Sequence, residues 1–246
     1  MSKTPTSANR TVALLSNLWN YAKSRGDLGI PEGRENPARA VDKRRRYREA
    51  PRRRRASTTE LRALFEAVDA CEADGTISPA EAVGLLLVPY ALLRPVEITR
   101  LRWTWVDLDA GLVRIPPQQA KGARIARSDE PEIAVLSGPI VGRLRDLERD
   151  GERVIESVRG GGRYDLGAPW HLVKARAGVA EDLLWYDLKR TSLSLLRDHG
   201  VPDAWRHAAA RHREQGVQER HYAQANVGQA QRAIARLAEL LEGMQK

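Results

Sequence analysis

Arg94 and Glu97 stand three residues apart in the segment LLRPVEI, and their pairing is the first sign of chemistry in the chain. A guanidinium can hold two non-bridging phosphate oxygens at once, and an acid one helical turn away can orient it. The same spacing also makes an ordinary surface ion pair. Further along come Lys121 in QAKG, then Tyr186, Lys189 and Arg190 in WYDLKRT, then His212, and Tyr222 in ERHYA. A phosphodiester can be cut without a metal when a nucleophile is aligned and fixed cations neutralise the developing charge. A tyrosine hydroxyl with arginine, lysine and histidine around it has the residue types for that. Each also has a plainer reading: Lys189 and Arg190 as a basic helix face, Lys121 as part of a basic hairpin, Tyr222 as a half-buried helix tyrosine.

The charge pattern points to a polyanion. Nine basic residues, Lys43, Arg44, Arg45, Arg46, Arg48, Arg52, Arg53, Arg54 and Arg55, face one acid, Glu49, giving +8 within a total of +9. So concentrated a block addresses nucleic acid, because each phosphate neutralised releases a counterion; a solvated basic linker is the alternative. A single Cys71 excludes an internal disulfide framework and a cysteine-rich zinc site. His199, His207 and His221 lack a repeated ligand spacing, so neither metal nor cofactor is expected. The longest apolar run, Val83 to Leu93, is too short to span a bilayer, and the N-terminus lacks a signal-like apolar run. No membrane association is expected, and the cytoplasm follows by elimination.

The elements that would position these residues are mostly helical. Val12, Leu15, Trp19 and Ala22 share one face of a helix from about Ala8 to Gly26, and Asn36-Pro37 marks a turn. Ser57 and Ser78 open capping boxes with Glu60 and Glu81, and Pro79 suits a first helical position. The second of these helices, strongly apolar through Leu92, reads as central to the core. The segment from Trp103 to Pro116 turns at Asp109-Ala110-Gly111, with Glu132 to Leu136 as a partner strand. Ser137 caps another helix with Ile140, Val141, Leu144 and Leu147 on one face. A glycine-rich loop covers 156 to 169, helices follow near 170–178, 186–199 and 203–211, and a last amphipathic helix runs from about Val227 to Glu242 through Ala230, Ile234, Leu237 and Leu241. The expected fold is mainly α with a small antiparallel β-sheet.

Three boxes of this sequence resemble the catalytic half of the tyrosine recombinases, the phage-integrase family. LLRPVEI with LRWTWVDLD resembles its first box; WYDLKRT followed by GV, with His212 twelve residues past Gly200, resembles the next two; ERHYA resembles the surroundings of the nucleophile. The resemblance implies an integrase-like (DNA breaking-rejoining) catalytic domain at 57–228. It further implies a remnant of a helical core-binding domain at 1–42, a basic linker at 43–56 and a C-terminal helix at 229–246, with the core-binding part truncated. It implies Tyr222 as nucleophile, Arg94 as the first phosphate-gripping arginine oriented by Glu97, Lys121 as proton donor to the leaving 5′ oxygen, and His212 as an aid to the transition-state oxygen. Tyr186 falls at a histidine position and Lys189 at the second arginine, with Arg190 its neighbour about 100° round the helix. Pro95 and Arg211 also depart from the family, the latter standing where glycine is usual. A lysine supplies charge without the planar fork.

The resemblance implies double-stranded DNA as partner, without cofactor, and a homo-oligomer, a tetramer on DNA, exchanging its last helix between neighbours. Two functions remain open at this point: site-specific strand cleavage and rejoining through a 3′-phosphotyrosine, or a catalytically impaired integrase-fold DNA-binding protein acting as a regulator or remnant. A helical RNA- or ribosome-binding protein is a third class, but no aromatic stacking platform supports it.

Overall fold

The computed structural model describes residues 5–26, 29–31, 33–40, 52–119, 130–156, 165–211 and 223–245. The chain divides into two compact units, Met1–Arg53 and Arg54–Lys246. In the first, α1 (Pro5–Arg25) is followed by a single 3-10 turn, Pro37–Arg39. Asn36 ties the two together: its Oδ1 accepts from the Ala38 N–H (3.0 Å), and its Nδ2 donates to the Ser16 carbonyl (3.1 Å) and to Asn20 Oδ1 (3.0 Å). Of the face expected on this helix, Val12, Trp19 and Ala22 are half-buried and line a groove with Pro37 and Ala38, whereas Leu15 of the same face is exposed, as are Leu14 and Leu18.

The second unit holds the remaining elements. Helices α2 (Thr58–Ala73) and α3 (Pro79–Ala91) begin at Ser57 and Ser78, and both capping boxes form: each serine Oγ accepts from the N–H three residues on, and that residue's carboxylate accepts from the serine N–H. A single turn, α4 (Pro95–Ile98), precedes strands β1 (Val106–Asp107), β2 (Leu112–Ile115) and β3 (Glu132–Val135). They form an antiparallel sheet in the order β1-β2-β3, with Val106 opposite Val113 and Ile115 opposite Glu132. Gly111 makes the turn between the first two with φ +64°, a left-handed conformation that costs glycine nothing. Helices α5 (Gly138–Arg145), α6 (Gly167–Arg176), α7 (Asp187–Asp198), α8 (Asp203–Ala210) and α9 (Ala223–Gly243) complete the unit. The mainly helical fold with a small antiparallel sheet is as the residue pattern predicts. Of the glycine-rich stretch, residues 157–164 lie outside the described residues.

Helix α3 is buried on every side, from Ala82 to Ala91, which is why its sequence is apolar throughout rather than amphipathic. That position creates a difficulty. Pro89 lies inside the helix and cannot donate to the carbonyl of Leu85, four residues back, while the carbonyls of Pro89 and Leu92 sit at the helix end. One face of α7 and the residue leading into it supply the missing donors. Trp185 Nε1 donates to the Leu85 carbonyl (3.1 Å), Lys189 Nζ to that of Leu92 (2.5 Å), and Ser192 Oγ to that of Pro89 (2.9 Å). The spacing i, i+4, i+7 puts all three on one side of a helix, so burying α3 and orienting α7 are a single event.

Helix α9 packs within its own chain, against α8, α7, α3, α5 and β3. It buries Ala230, Ala233, Ile234, Leu237, Ala238 and Leu241, including the four residues whose spacing marked it as amphipathic. Its end is fastened as well, by Gln245 Nε2 to Tyr90 Oη (2.8 Å) and Arg62 Nε to the Met244 carbonyl (2.6 Å). Among the described residues, no helix is long and apolar enough to cross a membrane.

The Trp185 contact gives a direct test. Trp185→Phe keeps an aromatic ring but removes the N–H, leaving the Leu85 carbonyl buried without a donor, at a cost of about 1–3 kcal/mol. Urea unfolding should show a lower midpoint with an unchanged m-value.

Candidate active site

The site is built around one buried carboxylate. Glu97 belongs to the single turn α4, and its side chain is 2% exposed. An unpaired carboxylate there would be prohibitively costly, so its oxygens must meet cations or N–H groups. They do. Oε1 takes Arg94 Nη1 at 2.5 Å; Oε2 takes the Arg94 backbone N–H at 2.7 Å and Arg211 Nη2 at 2.6 Å. Burial alone would raise the Glu97 pKa, but the Arg211 guanidinium, the Arg94 N–H and the Arg94 guanidinium together hold it below the usual glutamate value. Pro95 occupies the first position of the turn, where its missing N–H costs nothing and its fixed φ favours the helical start. It therefore suits the geometry that presents Arg94.

Arg94 also lies 3.6 Å from Glu132 Oε2, at the start of β3. Arg211 arrives from the other side of the site, as the residue that ends α8. Its backbone is left-handed (φ 54°, ψ 45°), the conformation that glycine adopts freely and a branched or long side chain only with strain. Its side chain is 5% exposed, and among the described residues only Nη2 has partners: Glu97 and, at 3.4 Å, the Leu92 carbonyl. Nε and Nη1 are buried without a hydrogen-bond acceptor among the described residues.

Lys189 lies beneath this pair. Its Nζ donates to the carbonyls of Leu92 (2.5 Å) and Ala210 (3.4 Å), the ends of α3 and α8, where the helix dipoles favour a cation. Leu92 and Arg211, the two non-glycine residues with left-handed backbones among the described residues, lie at these contacts. Burial first, and then the neighbouring Arg211 and Arg94, lower the Lys189 pKa from 10.5 to about 7. Arg190, next in sequence, faces elsewhere and donates to Asp187 Oδ1 (3.0 Å) and the Arg54 carbonyl (3.3 Å). Tyr186 precedes α7 with 45% of its surface exposed. Of the basic block, Lys43, Arg44, Arg45, Arg46 and Arg48 lie outside the described residues, as do Lys121, His212 and Tyr222. Arg52, Arg53 and Arg55 are exposed, while Arg54 is paired with Glu60 and Asp182.

The structure thus brings Arg94, Glu97 and Lys189 together and adds Arg211 and Glu132 to them. Arg211 carries a faint sequence signal, an arginine at a helix end where a glycine would fit best. Glu132 carries none, because its partner is 38 residues away in sequence and is reached only through the sheet.

No family model and no curated protein matches this sequence. Among solved structures, the integrase from mycobacterium phage Brujita aligns over 96% of this chain and 76% of its own, with a TM-score of 0.57 and 18% identity. XerA recombinase aligns over 63% of this chain at 18% identity with a TM-score of 0.44, and the chain spans about half of it, 53%. The likeness to the phage integrase establishes the fold: this chain has the architecture of a tyrosine recombinase or integrase.

The Lys189 environment has a measurable pH signature. Between pH 7 and 10.5 the unfolded lysine keeps a proton that the folded one has released, so stability rises with pH across that window, by up to about 1.4 kcal/mol per unit. Below pH 7 both states are protonated and the contribution is flat at its least favourable value. Denaturation curves of the parent and Lys189→Met should converge or diverge only within this window, the variant lacking the rise.

Proposed function

We propose that the chain is a DNA strand-exchange protein of the tyrosine-recombinase type, working on double-stranded DNA in the cytoplasm. The observation that carries this reading is the Arg94–Glu97–Arg211 cluster, a buried carboxylate holding guanidinium groups at one place in an integrase fold. Such an arrangement suits a phosphodiester, whose charge rises as the bond to the leaving oxygen breaks. In this reading Arg94 grips the non-bridging oxygens. Tyr222 Oη attacks phosphorus and gives up its proton to solvent. The bond to the 5′ oxygen breaks, Lys121 protonates that oxygen, and a 3′-phosphotyrosine remains until another strand's 5′ hydroxyl reverses the step. His212 and Tyr186 hydrogen-bond the phosphate oxygens, and Lys189 adds positive charge from below. Assembly as a tetramer on DNA would require α9 to leave its own domain for a neighbour's.

One observation favours a second reading, a catalytically impaired DNA-binding protein that regulates recombination or survives as a remnant. Lys189 spends its ammonium on two carbonyls and has a depressed pKa, so it is poorly placed to align a scissile phosphate. The two readings separate on covalent chemistry. Incubation with a pool of nicked duplexes, followed by denaturing gels, should trap a protein–DNA adduct that is absent from Tyr222→Phe. Duplex binding that survives this substitution with no adduct from the parent would establish the second.

The basic block makes its own prediction. Arg52 and Arg53 reach solvent, whereas Arg54 is held by carboxylates. Replacing Arg52 and Arg53 with alanine should weaken duplex binding for all sequences alike. It should also flatten the slope of log K against log salt by about 0.9 for each phosphate no longer neutralised, as read by fluorescence anisotropy over a salt titration.

A further inference from the structure

We propose that Arg211 is a phosphate-binding residue of this site, gripping the same phosphate as Arg94. Three observations converge on it. First, Glu97 holds the two guanidiniums on its two oxygens, Arg94 on Oε1 and Arg211 on Oε2, so a single carboxylate places both forks in one neighbourhood. Second, Arg211 keeps only Nη2 in that pair. Its Nε and Nη1 are buried with no acceptor among the described residues, although buried donors are ordinarily satisfied. A buried guanidinium with two donors to spare can give a charge-assisted hydrogen bond to a phosphate oxygen. Third, the local charge is unbalanced. Among the described residues Arg94, Arg211 and Lys189 meet Glu97 and Glu132, so positive charge is in excess whenever Lys189 is protonated, as it is below pH 7. An anion removes both deficits at once, and the 15% exposure of the Arg94 side chain marks the side from which it can enter.

The backbone at Arg211 argues the same way. A left-handed conformation at a helix end is most comfortably filled by glycine, and an arginine there bears strain. In return its side chain turns back over the ends of α3 and α8 to reach Glu97. Lys189 is then a positioning residue. By donating to the carbonyls of Leu92 and Ala210 it fixes the helix end from which Arg211 departs relative to the end of α3. The second fork of the site comes from the end of α8 and not from α7.

That the anion is a DNA phosphodiester rests on the strand-exchange reading; that Arg211 binds a phosphate group does not. The test uses the full chain and inorganic phosphate, titrated against chloride at constant ionic strength and followed through the arginine Nε–H resonances. Arg211 Nε–H should shift in a saturable way and share one dissociation constant with Arg94. In Arg211→Gly, whose backbone conformation the glycine accepts, the Arg94 response should require at least tenfold more phosphate. An Arg211 resonance that stays in place while Arg94 shifts would overturn the proposal, and so would an Arg211→Gly protein that binds phosphate like the parent. The adduct assay keeps the two ideas apart. Phosphate binding through Arg211 with no Tyr222 adduct sinks strand cleavage alone, while an adduct formed by Arg211→Gly at the parent's rate sinks the role of Arg211 alone.

Discussion

A carboxylate removed from water must be answered by donors, and the requirement of Glu97 organises this molecule. Its two oxygens draw together the start of α4, through the Arg94 N–H and guanidinium, and the end of α8, through Arg211. Breaking such a pair by removing one partner is far costlier than its net contribution to stability, because it leaves an uncompensated charge in a low dielectric. The cluster is therefore better understood as fixing geometry than as adding stability. It holds two guanidiniums near one point while the surrounding helices exclude solvent.

The second constraint is the backbone of α3. A fully buried helix with a proline inside it and an abrupt end would leave several carbonyls unpaired. Trp185, Lys189 and Ser192 repair that deficit from one side of α7. The consequence for function is direct, because the same Lys189 that completes the end of α3 also reaches the end of α8 below Arg211. Structural and chemical demands meet on one ammonium. Burial and two neighbouring arginines lower its pKa to about 7, so its charge is the part of the site most easily changed by pH or by a bound anion.

The C-terminal helix places the molecule in a definite state. Its apolar face is buried against its own domain, and its last residues are hydrogen-bonded to α2 and α3 through Arg62 and Tyr90. A helix that covers its own apolar face leaves nothing of that face for a neighbour, so exchange between protomers would need these contacts to open first.

Much of the architecture is readable from local patterns because its causes are local. The capping serines at 57 and 78, the turn at Gly111 and the apolar stripe from Ala230 to Leu241 depend on near neighbours, and each appears where the residue types put it. Of the site, the Arg94–Glu97 pair was equally legible, since three residues on a helical turn must meet. What sequence alone left undecided was which cations share the buried carboxylate. Lys189 and Arg190 are adjacent in sequence, yet one goes inward to two helix ends and the other outward to Asp187 and the Arg54 carbonyl. Arg211 reads locally as an ill-suited residue at a helix end. Only the packing of α8 against α9 and α7 brings its side chain onto Glu97, because desolvation is a property of the assembled core and not of any short stretch of chain.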